Sequence, residues 1–292
     1  MKKSLIWILS VLITIGAAAF QRITGPTHPE TYKLKTGDND IKIHLPTSHG
    51  GSSECEIRIF DPENRLKAIL IFRRYPTQEP YDTIVMERKG EHLTGYLPSQ
   101  PPAGKLEYSI IIESGKELVK LNPQPVIIRF KGEVPAWALI PHILFIFAAM
   151  LFSTVTGFYS AFRYPSYRAF GWITLILLVT GGLILGPVIQ KFAFGQFWTG
   201  VPFGKDLTDN KILVAFILWL IAVLANIKNQ RPWLAILASV AYLAINLIPH
   251  SVLGSELDYE SGKVITGGLF FGFLMTNFRK LELPDQHPDL FL

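Results

Sequence analysis

The chain has 292 residues, 49% hydrophobic and only 17% charged, with a formal charge of +5 and one cysteine. A soluble domain is about a quarter charged, so the composition excludes a purely soluble chain. The lone Cys55 excludes an intrachain disulfide, a Cys-rich zinc site and a CxxCH haem attachment, and the scattered basic residues give no sign of a nucleic-acid partner.

In chain order, Lys2 and Lys3 precede an apolar run from Leu5 to Phe20. Residues 1–21 therefore read as a signal peptide or an uncleaved signal anchor. Ala17-Ala18-Ala19 suits a signal peptidase, but a multispan protein has no need to lose its first helix, which favours the anchor. In either case the lysines hold the amino terminus in the cytoplasm, and the chain beyond the apolar run is exported.

Residues 22–133 have ordinary polar composition and alternate with period two. Strands are expected at Ile41–Leu45, Cys55–Ile59, Ala68–Phe72, Thr83–Glu87, Leu93–Leu97, Leu106–Ile112 and Val126–Phe130. Turn signals separate them, among them Asp61-Pro62-Glu63-Asn64, Gly90-Glu91 and Pro101-Pro102-Ala103-Gly104. Short alternating strands at this density predict an antiparallel β-sandwich, with Cys55 buried in a strand. The succession Tyr96-Leu97-Pro98, Pro101-Pro102-Ala103-Gly104, Leu106-Glu107-Tyr108-Ser109-Ile110 resembles immunoglobulin-like or fibronectin-type sandwich modules. That resemblance implies a binding or spacing module and no reaction. His28, His44, His49 and His92 lack ligand spacing and read as solvated surface residues.

Residues 134–254 hold four further apolar runs: Pro135–Phe162, Ala169–Ile189, Ile212–Ile227, and one from Pro232 to about Gly254. About 20 residues at 1.5 Å rise cross a bilayer core of about 30 Å, so the expectation is a four-helix transmembrane bundle. The turns at 162–168 (Arg163, Arg168) and 228–231 (Lys228, Arg231) are basic and contain no acid. By the positive-inside bias both are cytoplasmic, in agreement with Lys2 and Lys3. Residues 21–134, 190–211 and 251–263 then face the periplasm, or the exterior in a cell with one membrane. Residues 255–292 are expected to be periplasmic or interfacial. Within them Val264–Met275 is apolar but too short to span comfortably, and it reads as an interfacial helix, with a re-entrant piece or a short sixth span as the alternatives.

The loop from Gly195 to Asn210 mixes aromatics, glycines and acids. Trp198 suits the headgroup level, and Thr208 or Asp209 suits an N-cap for the following helix. Asp206, Asp209, Glu256 and Asp258 all fall on the outer face, where they serve either as solvated loop acids or as a cluster around a cation or cationic ligand. Trp198, Asp206, Asp209, Asn210, Asn246, Glu256 and Asp258 are the candidate ligand-binding residues.

Leu-Ile-Pro-His occurs twice, ending at His142 and at His250. One copy enters the membrane and the other leaves it, so both imidazoles are expected near the outer interface. His142 shares a helix face with Ala149, Ser153, Thr156 and Ser160, and His250 ends a stripe of Ser239, Tyr242 and Asn246. Gly182 and Gly186 form a GxxxG pattern allowing close helix approach. His142 and His250 are therefore candidate ligands for a b-type haem or a metal ion, with Lys191, Lys205, Lys211 and Lys263 within reach of haem propionates. The alternative is that each histidine only hydrogen-bonds at a helix end.

Arg22-Ile23-Thr24-Gly25-Pro26 and Asp206-Leu207-Thr208-Asp209-Asn210-Lys211 resemble segments of bacterial envelope membrane proteins with an immunoglobulin-like or fibronectin-type periplasmic domain. That resemblance implies an envelope location and no particular activity. The expected protein is a multi-pass inner-membrane protein, non-enzymatic, whose partners are the lipid bilayer and another membrane or periplasmic protein. Its sandwich binds or positions that partner at the outer mouth of the bundle. The alternative is a haem- or metal-binding redox subunit. A transporter is less favoured, because no charge falls at mid-membrane.

Overall fold

A computed structural model describes residues 2–36, 39–114, 117–249 and 254–265. His250 and the apolar segment beyond Ile265 lie outside these residues.

The first helix, α1 (Lys3–Thr24), is followed by eleven strands: β1 (Glu30–Thr36), β2 (Asn39–Leu45), β3 (Ser48–Gly50), β4 (Cys55–Phe60), β5 (Leu66–Arg74), β6 (Asp82–Val85), β7 (Glu87–Lys89), β8 (His92–Leu97), β9 (Lys105–Ser114), β10 (Glu117–Lys120) and β11 (Val126–Lys131). Then come α2 (Ala136–Ala161), α3 (Tyr167–Leu178), a π-helical stretch (Val179–Leu185), α4 (Gly186–Phe194), α5 (Leu207–Ala225), α6 (Pro232–Leu247) and a small hairpin of β12 (Glu256–Asp258) and β13 (Lys263–Ile265).

The strands form a six-stranded sheet in the order β3-β11-β9-β5-β6, with β10 also on β9, a three-stranded sheet β4-β8-β7, and the β1-β2 hairpin. All pairings are antiparallel except β11 with β3. Every strand expected from alternation is present. The Thr83–Glu87 run is divided, because β6 pairs with β5 while β7 pairs with β8. Met86, buried between the two strands, marks the change of sheet. Alternation directs one face inward: Cys55, Ile57 and Ile59 of β4 and Leu66, Ala68, Leu70 and Phe72 of β5 are buried. They join residues of β1, β2, β8, β9 and β11 in a single apolar cluster.

Four helices are long and apolar enough to cross a membrane: α1, α2, the continuous helix Tyr167–Phe194, and α5; α6, at 16 residues, is shorter. Their outward faces carry large apolar side chains such as Leu12, Leu144, Ile184 and Val240, each more than half exposed. Water would penalise such a girdle, whereas lipid tails match it. Between helices the contacts depend on small residues. A Cβ on Gly157 would lie 2.5 Å from Ser239 Oγ, and one on Gly182 would lie 2.7 Å from Ile212 Cγ1. The Ser239 hydroxyl donates to the Ser153 carbonyl (2.8 Å), which pins α6 to α2.

The helices have two chemically different ends. At one end Lys3 stacks over Tyr164, the Tyr167 hydroxyl donates to Asn226 Oδ1 (2.6 Å), and the Asn226 amide donates to the Arg231 carbonyl (3.1 Å). Lys3, Arg163, Arg168, Lys228 and Arg231 thus share this end. The β-strands occupy the other end. There the N–H of Gly132, just past β11, donates to the Ala193 carbonyl near the end of α4 (2.9 Å).

Candidate functional site

The loop from α4 to α5 is held by hydrogen bonds to its own acids. Asp206 is the N-cap of α5, its Oδ1 accepting the Thr208 N–H at 2.8 Å. The cap is therefore Asp206, in place of the expected Thr208 or Asp209, because the helix begins one residue before Thr208. The second oxygen of Asp206 accepts the N–H (3.1 Å) and hydroxyl (3.2 Å) of Ser255. Asp209 faces back over the loop and accepts the N–H (2.6 Å) and hydroxyl (3.1 Å) of Thr199, whose hydroxyl also accepts from Gln190. Asn210 Oδ1 accepts the Val201 N–H (2.8 Å), and Trp198 Nε1 donates to the Val201 carbonyl (3.0 Å). Trp198 and Asn210 thus shape the loop.

Of the two alternatives for the four acids, a cluster around a cation is not the arrangement found among the described residues. Asp206 and Asp209 are buried together at the mouth of the helices. Glu256 instead pairs with Lys105 of β9 (3.0 Å), both side chains only 6% exposed. Asp258 accepts from the Ser261 hydroxyl (2.6 Å) and the Glu260 N–H (3.1 Å), closing the turn of its own hairpin. The cations facing these acids come from the β domain and, at Lys211, from α5. Arg129 of β11 is buried, donates to the Ser255 carbonyl (2.8 Å) and lies over the Phe194 ring. Burial pushes the Lys105 ammonium down to about 8, Arg129 adding to the depression and Glu256 opposing it. Sequence reading missed Lys105, Arg129 and Lys131. Arg129 carried a weak signal, since it sits in the apolar run Val126–Phe130 where an outward position should be solvated.

These groups border a chamber of about 970 Å³ between the helices and the β domain. Small-molecule sites run from roughly 300 to 1,000 Å³, so it is large. Its deep wall is apolar, with Ala17, Ile146, Met150 and Ile212, while Arg129, Lys131, Asp206, Asp209, Lys211 and Gln190 line the part nearer the β domain. Lys211 donates to the Ile248 carbonyl (2.6 Å), one of the groups left open where α6 ends before Pro249. The last span thus stops earlier than the expected Gly254. Asn246 also lines the chamber, donating to the Tyr242 carbonyl (2.8 Å), while its own carbonyl accepts from Gln21 of α1 (2.7 Å).

His142 faces the chamber one residue after Pro141, inside α2. Its Nδ1 is 2.8 Å from the Gly181 carbonyl and must be the donor. That carbonyl also accepts the Gly186 N–H in the π-helical turn. The wider turn brings the carbonyl to the imidazole, and π turns of this kind recur at functional sites. Of the two glycines of the GxxxG pattern, Gly182 packs on Ile212, whereas a Cβ on Gly186 would meet only His142 Cε1 and the Gly181 carbonyl at the edge of contact. Gly186 is chamber wall. Among the described residues no group of three or more His, Cys, Asp or Glu is arranged to hold a metal ion. Of the lysines expected near haem propionates, only Lys211 lines the chamber, while Lys191 turns to the Gly195 carbonyl (2.8 Å).

No known protein family and no curated protein matches this chain. The chamber is the feature on which a functional reading rests.

Proposed function

We propose that the chain is a multi-pass protein of a bacterial inner membrane, non-enzymatic, whose immunoglobulin-like β domain lies on the periplasmic side and roofs a binding chamber at the outer mouth of a helix bundle. The chamber would hold an amphiphilic partner from the membrane. The carrying observation is the chamber of about 970 Å³, apolar at depth and polar under the β domain. The collection of Lys3, Arg163, Arg168, Lys228 and Arg231 at the end away from the strands supports the sidedness. A binding role fits better than catalysis, because three of the charged groups of the wall are already engaged by the surrounding chain: Asp206 holds Ser255, Asp209 holds Thr199, and Lys211 holds Ile248.

Native mass spectrometry of the full chain released from detergent should show retained amphiphile of lipid mass. Gly186→Leu, which fills the chamber with little collision, should lose it while keeping the same melting temperature. A wild-type protein that never retains an amphiphile would sink the reading.

A second reading keeps His142 as a haem or metal ligand. One observation favours it: Nδ1 is committed to a backbone carbonyl, which leaves Nε2 as an acceptor, the arrangement ligating histidines use. Protein from haem-replete cells would then show a Soret band that His142→Ala and His250→Ala each abolish. A colourless, metal-free preparation removes this reading.

A further inference from the structure

The chamber mouth holds a positive charge that no protein group neutralises among the described residues. Lys131, the last residue of β11, is half-buried and lines the chamber. No ion pair or hydrogen bond engages its ammonium among those residues, although Lys105 finds Glu256 and Arg129 finds the Ser255 carbonyl. The charged groups that act on it are Arg129 and Arg22, both of the same sign, and with burial they hold it below the usual lysine range. Arg22 is exposed at the end of α1, its guanidinium donating to the Thr27 hydroxyl (3.2 Å). Asp206 and Asp209 are turned to their own partners, and Glu133, two residues on, also lines the chamber but is exposed and makes no ion pair with Lys131. An unpaired ammonium so placed costs free energy that an anion would recover.

Lys131 also stands where a lipid headgroup belongs. The Lys131 carbonyl accepts the Gly51 N–H (2.9 Å), so the bend Gly50-Gly51-Ser52-Ser53 is fixed beside it, and this bend also lines the chamber. Gly51 adopts a φ of +93°, which favours glycine and lets the chain turn there. Arg22, in the last turn of a helix long and apolar enough to cross a membrane, is near enough to act on Lys131, which sets that lysine near the exit of α1. Below lies the apolar wall of Ala17, Ile146 and Met150. A rim of mixed charge, in which the Lys131 ammonium has no acid bonded to it among the described residues, over an apolar shaft fits a molecule with an anionic head and a hydrocarbon tail.

We infer that the chamber binds an anionic phospholipid, its phosphate received by Lys131 with Arg129 nearby, and an acyl chain lying between α1 and α2. This deepens the chamber reading and rests on it. A neutral quinone would have no use for the Lys131 ammonium, and a free phosphate would have none for the apolar shaft.

The test uses full-length protein in detergent, titrated with phosphatidylglycerol and, separately, phosphatidylcholine, with bound lipid counted by native mass spectrometry. Phosphatidylglycerol should bind saturably and about tenfold more tightly than phosphatidylcholine, as a charge-assisted contact implies. Lys131→Gln should erase that preference, Lys131→Arg should keep it, and inorganic phosphate should not displace the lipid. Gly186→Leu should lose both lipids. Equal affinity for the two lipids, or a preference that survives in Lys131→Gln, overturns the headgroup proposal while leaving the chamber reading standing. Displacement by inorganic phosphate overturns it in favour of a free-anion site. If neither lipid binds saturably, both readings fall.

Discussion

The Lys105–Glu256 pair joins β9 to the small hairpin after the helices, and both side chains are almost wholly out of water. The Tyr259 hydroxyl reinforces the joint, accepting the Lys105 N–H (3.0 Å) within reach of Gln100 Oε1 (3.0 Å). Removing one charge of a buried pair leaves the other unpaired, so Glu256→Gln should destabilise by about 3 kcal/mol, whereas Lys105→Met with Glu256→Leu should be close to neutral. Thermal unfolding in detergent separates the two cases. A pH dependence arises from the same lysine, depressed to about 8 when folded. Between there and its unfolded value of about 10.4, the unfolded chain binds the extra proton, so stability rises with pH across that window. The melting temperature of the wild type relative to Lys105→Met should therefore climb from pH 8 to pH 10. A flat difference would show that the lysine titrates normally.

At the scale of elements, the π-helical stretch between α3 and α4 fixes how the helices meet. Gly181 sits within it against α2, where a Cβ would fall 2.8 Å from Phe145 Cβ and 3.2 Å from the Ile146 backbone nitrogen. The same residue gives His142 its carbonyl. Gly181→Val should therefore force α2 away, at a cost of about 1–3 kcal/mol, and move the imidazole as well. Gly186→Val, five residues on and facing the chamber, should melt like the wild type. Comparing their unfolding temperatures tests whether the close contacts are Gly181 and Gly182, where the GxxxG spacing alone assigned them to Gly182 and Gly186.

For the whole molecule the decisive property is sidedness, and the chain offers a clean test. Cys55 is buried, and burial with the neighbouring Glu56 pushes its thiol up to about 11, so it stays protonated and unreactive. Single cysteines can be added without removing it. Glu91→Cys, on an exposed turn of the β domain, should react with a membrane-impermeant maleimide in intact spheroplasts, while Ser166→Cys, in the basic turn between α2 and α3, should react only after lysis. The reverse pattern would invert the topology and place the chamber on the cytoplasmic side.

The elements were legible in the order of residues because their signals are local. Period-two alternation marks the longer strands, though not the short β3 and β10, uninterrupted apolar runs mark the helices, and basic turns without acids mark one end. His142 was legible as an inward residue for the same reason, since its helix face is set by its neighbours three and four positions away. Only the tertiary structure decided what the charged groups do. Which group meets which cation depends on contacts across more than 100 positions, as between Arg129 and the Ser255 carbonyl or Lys105 and Glu256. From sequence, Asp206, Asp209, Glu256 and Asp258 are four equivalent outer-face acids. Folding makes Asp206 a helix cap and tether, Asp209 a loop clasp, Glu256 the partner of a buried lysine and Asp258 a turn residue. Likewise Arg129 and Lys131 read as ordinary strand residues until helices and hairpin cover the second face of β11. Burial then removes the water that would have satisfied them, and that loss of solvation turns an unremarkable lysine into an unbalanced charge at the mouth of a chamber.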